Sequence, residues 1–460
     1  MQSMNNEKKR ILMICNYFAP DNAVAAIRLT KFAKYLSEYG YEVDVLTEYK
    51  KNQIEDEILA NDAKSIKVHY VYLNRIRRRL INICFAVMKP IKDPLFNDKT
   101  SRTLINPETG LQRFMTFEER YPLVASIDYF TYLSIQKGLF RSAKRFLRVA
   151  SGYDYCFATY GNSFGPLAGL FYKKHHPETK LIADFRDPVY QKKFTPKYAK
   201  RRARHFEEKI HKNCDHIITV TEKMKEDIPV PYQEKACCIT NGYDQNDRAY
   251  CTGSSKTADK MTLCYTGVMY GGLRDFSAVF RVINELIVEN SINPDKIEIR
   301  YAGPESSYIV FWEQARRHSI DGLCKYYGKT ARVVALELQS SSDILLLSTE
   351  GFKDNNTGWI TGKALEYMSA NKPVITIISG DIERNAHELG VIVDKARLGC
   401  LYYESANEED YEKLKDYVLL QYNEILANGR VIHNPDEDAI NQFSYGVLTS
   451  KLIKKLDGLK

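Results

Sequence analysis

The sequence predicts an α/β fold made of two similar halves, each a parallel sheet covered by helices, and three observations carry that prediction. The first is an apolar run at Arg10–Cys15 (RILMIC), followed by a loop at 16–26, helical spacing over 27–39 closed by Gly40, and a second apolar run, YEVDVLT, over 41–47. A strand, helix and strand at this spacing match a right-handed crossover. The second is the return of that arrangement at 261–289: a strand, the glycine-bearing loop TGVMYGG and a helix. The third is VITII at 374–378. Such a β-branched run suits a strand buried on both faces.

A chain of 460 residues is too long for one compact core and fits two or three domains. Residues 244–260 are rich in Gly, Ser, Asp and Lys, the composition of a linker, and a fresh strand follows. The expected domains are therefore 1–243 and 244–442, with a terminal helix over 443–460. Lys and Arg exceed Asp and Glu by 66 to 58, a net charge of +8. That excess suits anionic partners without requiring nucleic acid, and no nucleic-acid-binding motif accompanies it. Ten scattered cysteines form no CxxC pair and no metal-ligand spacing, which points to a reducing cytosol and away from a structural metal. No apolar stretch approaches the roughly 20 residues of a membrane-spanning helix.

In chain order, further strands are expected at 67–73, 153–159, 180–185, 216–221, 297–302, 324–327 and 343–347, with helices at 166–175, 201–213, 408–428 and 443–456. GxGxxG is absent from the first turn, which removes the most specific sign of an NAD or FAD enzyme. Two segments are both basic and apolar. One runs from Asn74 to Phe96 with Arg75, Arg77, Arg78, Arg79, Lys89 and Lys92; the other is a helix over 135–149. Either suits an anionic membrane surface, and each equally suits a solvated helix packed on its own domain.

Candidate site residues fall after strands, where open α/β sheets bind ligands. The strand KLIADF at 180–185 runs into Arg186 and Asp187: Asp187 is a candidate base for a substrate hydroxyl and Arg186 a candidate anion contact, or the two pin a loop. Asn22 lies in the first loop and Arg28 at the first helix start, Arg28 either meeting an anion or facing solvent; both are candidate site residues, on the half where the resemblance given below implies the acceptor. The richest stretch is 357–378, TGWITGKALEYMSANKPVITII. Lys363 and Glu366 lie one turn apart on one helix face, Gly358 and Gly362 mark the helix start, and Asn371 to Pro373 stop it. A lysine and a carboxylate so placed suit a phosphate and a sugar hydroxyl, or form an ordinary surface ion pair.

The segments ILMICNYFAPDN, YEVDVLT, DFRDP, CYTGVMYGGLRDF, IRYAGPE, YYGKT, SSDILLLST, GKALEYMSANKPVI and NQFSYGVLTSKLIKKL together resemble the GT-B glycosyltransferases, specifically the family 4 group that builds bacterial surface polysaccharides. The resemblance covers nearly the whole chain. It implies two Rossmann-like domains facing each other across a cleft, the acceptor on the first and a nucleotide sugar on the second. It also implies that Glu366 binds the donor ribose and that Lys363 is a donor-side lysine. Gly267 and Arg274 look like the diphosphate cradle, and Gly328 and Lys329 fall where backbone meets the base. Asp187, Arg274 and Lys363 are then the candidate catalytic residues, and the nucleotide sugar is a co-substrate. Retention of stereochemistry, with no cofactor and no metal, is implied by the family. The sequence departs from the family at Gly358, where an acidic partner of Glu366 is usual; Glu350, Asn355 or Asn356 are candidates to replace it.

The expected function is transfer of a sugar from a nucleotide sugar to a lipid-linked glycan at the cytoplasmic face of a membrane. The alternatives are a GT-B nucleotide-sugar epimerase, or a catalytically degenerate scaffold that binds a sugar nucleotide.

Overall fold

The structure is a computed structural model that describes residues 8–50, 54–96, 103–105, 112–114, 120–160, 164–186, 197–250, 259–351, 360–405 and 408–459. The candidates Asp187, Asn355, Asn356 and Gly358 lie outside the described residues. The chain divides into two compact units: Met1–Arg102, Met115–Thr240 and Leu448–Lys460 form one, and Thr103–Phe114 with Asn241–Val447 the other.

The first unit contains β1 (Arg10–Cys15), β2 (Glu42–Glu48) and β3 (Lys67–Val71). A short antiparallel pair, β4 (Thr103–Ile105) and β5 (Gln112–Phe114), belongs to the second unit. β6 (Tyr155–Tyr160), β7 (Lys180–Phe185), β8 (His216–Thr219) and β9 (Ala236–Cys238) complete the first sheet, in the order β3-β2-β1-β6-β7-β8-β9. Every pairing within it is parallel. Five of the six residues of β1 are buried, because helices cover both faces and leave no solvent side to polarise the pattern. Helix Val24–Glu38 inserts Ala26, Leu29, Phe32, Ala33 and Leu36, an i, i+3, i+6, i+7 and i+10 series, into that core. Burying each such leucine or phenylalanine contributes about 1.5–3 kcal/mol.

The second unit repeats the plan. β10 (Met261–Thr266), β11 (Ile297–Ala302), β12 (Cys324–Tyr326), β13 (Ile344–Glu350), β14 (Val374–Ser379) and β15 (Gly399–Tyr403) lie in the order β12-β11-β10-β13-β14-β15, again all parallel. In both sheets the order descends to the first strand and then jumps. The reversals fall between β1 and β6 and between β10 and β13, and crevices at such switch points are where doubly wound sheets take ligands.

Three expectations need correction. The segment 244–260 is not all open linker: Gln245–Tyr250 forms a 3₁₀ helix, and Asp244 and Asp247 are buried. The second basic helix is Pro122–Val149, beginning thirteen residues before the expected start, because its first half carries aromatic and aliphatic residues without a basic stripe to mark it. β15 and the helix Glu388–Lys395 before it were not anticipated; GCLYY is short and only partly buried.

Candidate functional site

The site forms at the carboxyl edge of the second sheet, beside its switch point. Helix Gly362–Ala370 opens at Thr361, whose hydroxyl accepts the Ala364 N–H, and closes at Asn371 in the left-handed conformation, with φ of 50°. Ala364, Leu365, Tyr367 and Met368 anchor it to the core, which turns Lys363 and Glu366 toward the sheet edge.

Glu366 is the hub. Its Oε1 accepts from Lys363 Nζ at 2.6 Å and from Gln339 Nε2 at 2.6 Å, and Arg332 Nε lies 3.9 Å from Oε2. Only 15% of its side chain is exposed. Burial alone would raise the Glu366 carboxyl, yet the charges of Lys363 and Arg332 and the hydrogen bonds from Lys363 and Gln339 hold it below the ordinary carboxylate range. Gln339 is fully buried and also donates to Thr266 Oγ1 at 2.8 Å, so the end of β10 and the helix share one clamp. Arg332 in turn donates to Asp247 at 2.8 Å.

The loop after β10 supplies the opposite wall. Gly267 has φ of 155°, its N–H donates to Ala302 O at 2.9 Å, and a Cβ built on it would sit 3.7 Å from Lys363 Cε. Gly303 lies against it so closely that an added Cβ would come within 2.3 Å of the Gly267 carbonyl, and Gly303 N–H donates to Gly328 O at 2.9 Å. Backbone of three loops is thus closely stacked, and the hydroxyls of Tyr301 and Tyr326 donate to the carbonyls of Gly267 and Gly303 at 2.7 and 3.0 Å. Lys329 beyond Gly328 is exposed. Arg274, at the far end of the Gly267 loop, pairs with Glu350 at the end of β13 and lies over the Tyr270 ring at 5.1 Å. His387 is buried, its Nε2 3.3 Å from Glu350 O, and burial lowers its pKa below the ordinary histidine value.

The structure therefore brings Gly267, Lys363 and Glu366 together and sets Arg274 on the same loop, paired to Glu350. The sequence reading missed Gln339, Arg332, Asp247 and His387. Polar residues among the apolar positions of 332–340 were a usable signal for the first two; Asp247 was hidden in the apparent linker, and His387 had none.

On the first unit, Arg28 is a correction. It neither faces solvent nor awaits an anion: its guanidinium is buried against Asp184, with Nη2 to Oδ1 at 2.9 Å, and donates to Ile239 O at 2.9 Å and Thr240 O at 2.6 Å. Its donors are spent within the fold. Arg186 is half-buried and donates to Ala25 O at 2.7 Å, joining the end of β7 to the start of the first helix. Asn22 is exposed, its N–H donating to Ile54 O at 2.9 Å.

No protein-family model matches the chain, and no curated protein matches it in sequence. Solved structures do match in fold. HepE from Anabaena, in complex with UDP and glucose, superposes with a TM-score of 0.54 at 13% identity, covering 98% of this chain and 100% of that one. A sucrose-phosphate synthase from Thermosynechococcus elongatus gives 0.55 at 12%, covering 98% and 100%. An E. coli structure described as trehalose-6-phosphate bound with UDP-2-fluoro glucose gives 0.58 at 11%, covering 97% and 99%. These likenesses define the class of fold, two Rossmann-like α/β units of the GT-B type. In the particulars of its sequence the chain stands well apart from all three.

Proposed function

We propose that this chain is a family 4-type glycosyltransferase that moves a sugar from a nucleotide-sugar donor onto a glycan acceptor, in the assembly of a lipid-linked surface polysaccharide. The observation that carries the reading is the Glu366 carboxylate, kept ionised by Lys363, Gln339 and Arg332 at the switch point of the second sheet. The UDP and glucose named with the similarly folded HepE support it. In this reading Glu366 accepts hydrogen bonds from the ribose hydroxyls. Lys363 and Arg274 face the diphosphate, with Gly267 admitting it against backbone, and Gly328 and Lys329 border the base. As the bond between the sugar carbon and the diphosphate oxygen breaks, the leaving diphosphate keeps the electron pair, and the two cations stabilise its growing charge. The acceptor hydroxyl attacks that carbon and gives up its proton, for which Asp187 is the proposed base, with Asn22 and Arg186 on the acceptor side. Arg274 and Lys363 supply the positive charge, so transfer is proposed to need no metal and, by the family resemblance, to retain configuration.

The second part of the proposal is contact with an anionic membrane from the cytoplasmic side. In helix Arg75–Phe96, Ile76, Leu80, Ile83 and Val87 form an exposed i, i+4, i+7, i+11 stripe, while Ile81 and Met88 face inward. Arg75, Arg78, Arg79 and Lys89 are exposed beside the stripe, and residues 75–90 contain no Asp or Glu. Each cation near an anionic surface adds about 1 kcal/mol. Helix Pro122–Val149 is its neighbour, with Ser134 O accepting from Arg77 at 3.4 Å. No described helix is long and apolar enough to cross a membrane.

The test is a thermal-shift screen of nucleoside diphosphates and nucleotide sugars, in which a bound donor raises the unfolding temperature. A flat response to all of them overturns the reading. Incubation of the bound sugar nucleotide without acceptor separates transfer from epimerisation, since only an epimerase yields an isomeric sugar.

A further inference from the structure

The loop after β10 holds one residue in a conformation that its side chain resists. Tyr270, Gly271 and Gly272 follow one another at φ of 47°, 66° and 98°. Glycine takes this left-handed region freely, whereas a Cβ there crowds the following carbonyl oxygen and lowers stability. Burial does not offset that cost, since Tyr270 is 60% exposed.

The loop is fixed by other groups on both sides of Tyr270. Met269 is fully buried, and its N–H donates to Ser307 Oγ at 3.2 Å. At the far end Gln314 Nε2 donates to Arg274 O at 2.9 Å, while Gln314 Oε1 accepts from the Phe276 N–H at 3.1 Å. Ser307 and Gln314 belong to one helix, Glu305–Arg317. The path of the loop is therefore set without the Tyr270 ring. Strained residues of this kind gather at functional sites, where the surrounding structure holds them in place.

What the conformation achieves is a contact with a cation. Arg274 Cζ lies 5.1 Å from the centroid of the Tyr270 ring, within the range of cation–π attraction, and Nη1 of the same guanidinium pairs with Glu350. Ring and carboxylate hold the group from two directions. A guanidinium carries five N–H donors and the pair engages Nη1, so donors remain for a phosphate. Arginine is also rotamer-rich, and one already held against a ring loses less freedom when an anion arrives.

From this we infer that Tyr270 is a positioning residue for the diphosphate of the nucleotide sugar, acting through Arg274. The left-handed turn sets the ring against the guanidinium, and the ring holds that cation where the diphosphate binds and leaves. The inference rests on the reading of Arg274 as a diphosphate contact.

The experiment measures binding of UDP, GDP and ADP by calorimetry. It uses the full chain, Tyr270→Ala, Tyr270→Phe, Tyr270→Gly, Arg274→Met, and Tyr270→Ala combined with Arg274→Met. For the diphosphate that binds, the expected result is a loss of about fivefold in Tyr270→Ala and Tyr270→Gly, with affinity kept within about twofold in Tyr270→Phe. Added to Arg274→Met, Tyr270→Ala should bring no further loss, because the ring then has no cation to hold. The unfolding temperature of Tyr270→Gly should stand at or above that of the unaltered chain, since glycine relieves the left-handed turn. Unchanged affinity in Tyr270→Ala, an equal loss with and without Arg274, or a loss in Tyr270→Phe as large as in Tyr270→Ala overturns the inference. A fall of several degrees in the unfolding temperature of Tyr270→Gly also overturns it, by making the ring a structural part of the loop. A chain that binds none of the three diphosphates removes the donor reading and this inference together. Binding that Arg274→Met weakens and Tyr270→Ala does not removes this inference alone, and binding that Arg274→Met leaves unchanged removes it with the role of Arg274.

Discussion

Arg28 and Asp184 form an ion pair at 2.9 Å in which the two side chains are 1% and 0% exposed. The pair ties the first helix to β7, and two further bonds from Arg28 carry the tie to the carbonyls of Ile239 and Thr240. Replacing Arg28 by Met leaves the Asp184 carboxylate buried without its counter-charge, a change that costs about 3–5 kcal/mol. Denaturant titration of the Arg28→Met variant should show that loss. A loss under 1 kcal/mol would mean that the pair contributes little to the first unit.

Glu366 gives the sharpest test of the site. If it holds two ribose hydroxyls, Glu366→Ala removes charge-assisted hydrogen bonds worth about 1.5–3 kcal/mol each, and donor affinity falls by at least about tenfold. Gln339→Leu, which removes a donor to the carboxylate without touching the ligand in this reading, should weaken binding less. Calorimetry that finds donor affinity unchanged in Glu366→Ala would sink the assignment.

Acid stability should report on two buried histidines of the first unit. Burial, with the charge of Lys235, lowers His211 to about 4, and burial with Lys455 and Lys235 lowers His216 to about 4, from an ordinary 6.5. Their contribution is complete above the unfolded pKa. As pH falls from 6.5 toward 4 the unfolded chain takes up protons that the folded chain refuses, and stability declines by up to about 1.4 kcal/mol per pH unit for each group. His211→Gln should flatten the pH dependence of the unfolding free energy in this window, and an unchanged slope would contradict the assignment.

Vesicle sedimentation tests the exposed helix. The full chain should pellet with vesicles containing phosphatidylglycerol and not with phosphatidylcholine alone, and Leu80→Glu with Ile83→Glu should reduce pelleting by about tenfold. Equal affinity for both lipid compositions, or no loss in the variant, would remove the membrane contact from the proposal.

Most of the fold was legible in the sequence because long buried strands announce themselves: Arg10–Cys15, Lys180–Phe185 and Ile297–Ala302 stand where the apolar runs put them. The Lys363–Glu366 pair was legible because both residues share one helical turn. Arg28 was not, since its partner lies 156 residues away and nothing local distinguishes a buried arginine from a solvated one. The Gln339 clamp on Glu366 escaped for the same reason, as it joins two helices that only the sheet brings side by side. Glycine, serine, aspartate and lysine composition at 244–260 suggested slack where Asp247 is held by Arg332, because polar residues serve turns and buried ion pairs alike.

The contact between Gly303 and the Gly267 carbonyl also sets which positions of this chain are free to drift. An added Cβ at Gly322 meets nothing within 4 Å, whereas at Gly303 it would stand 2.3 Å from a backbone oxygen that has no rotamer by which to retreat. Two glycines of one unit thus have opposite histories open to them. Gly322 can accumulate substitutions silently, while Gly303 confines variation in this wall to the side chains around it, so that new specificities would have to arise at positions such as Arg274, Lys329 or Glu350.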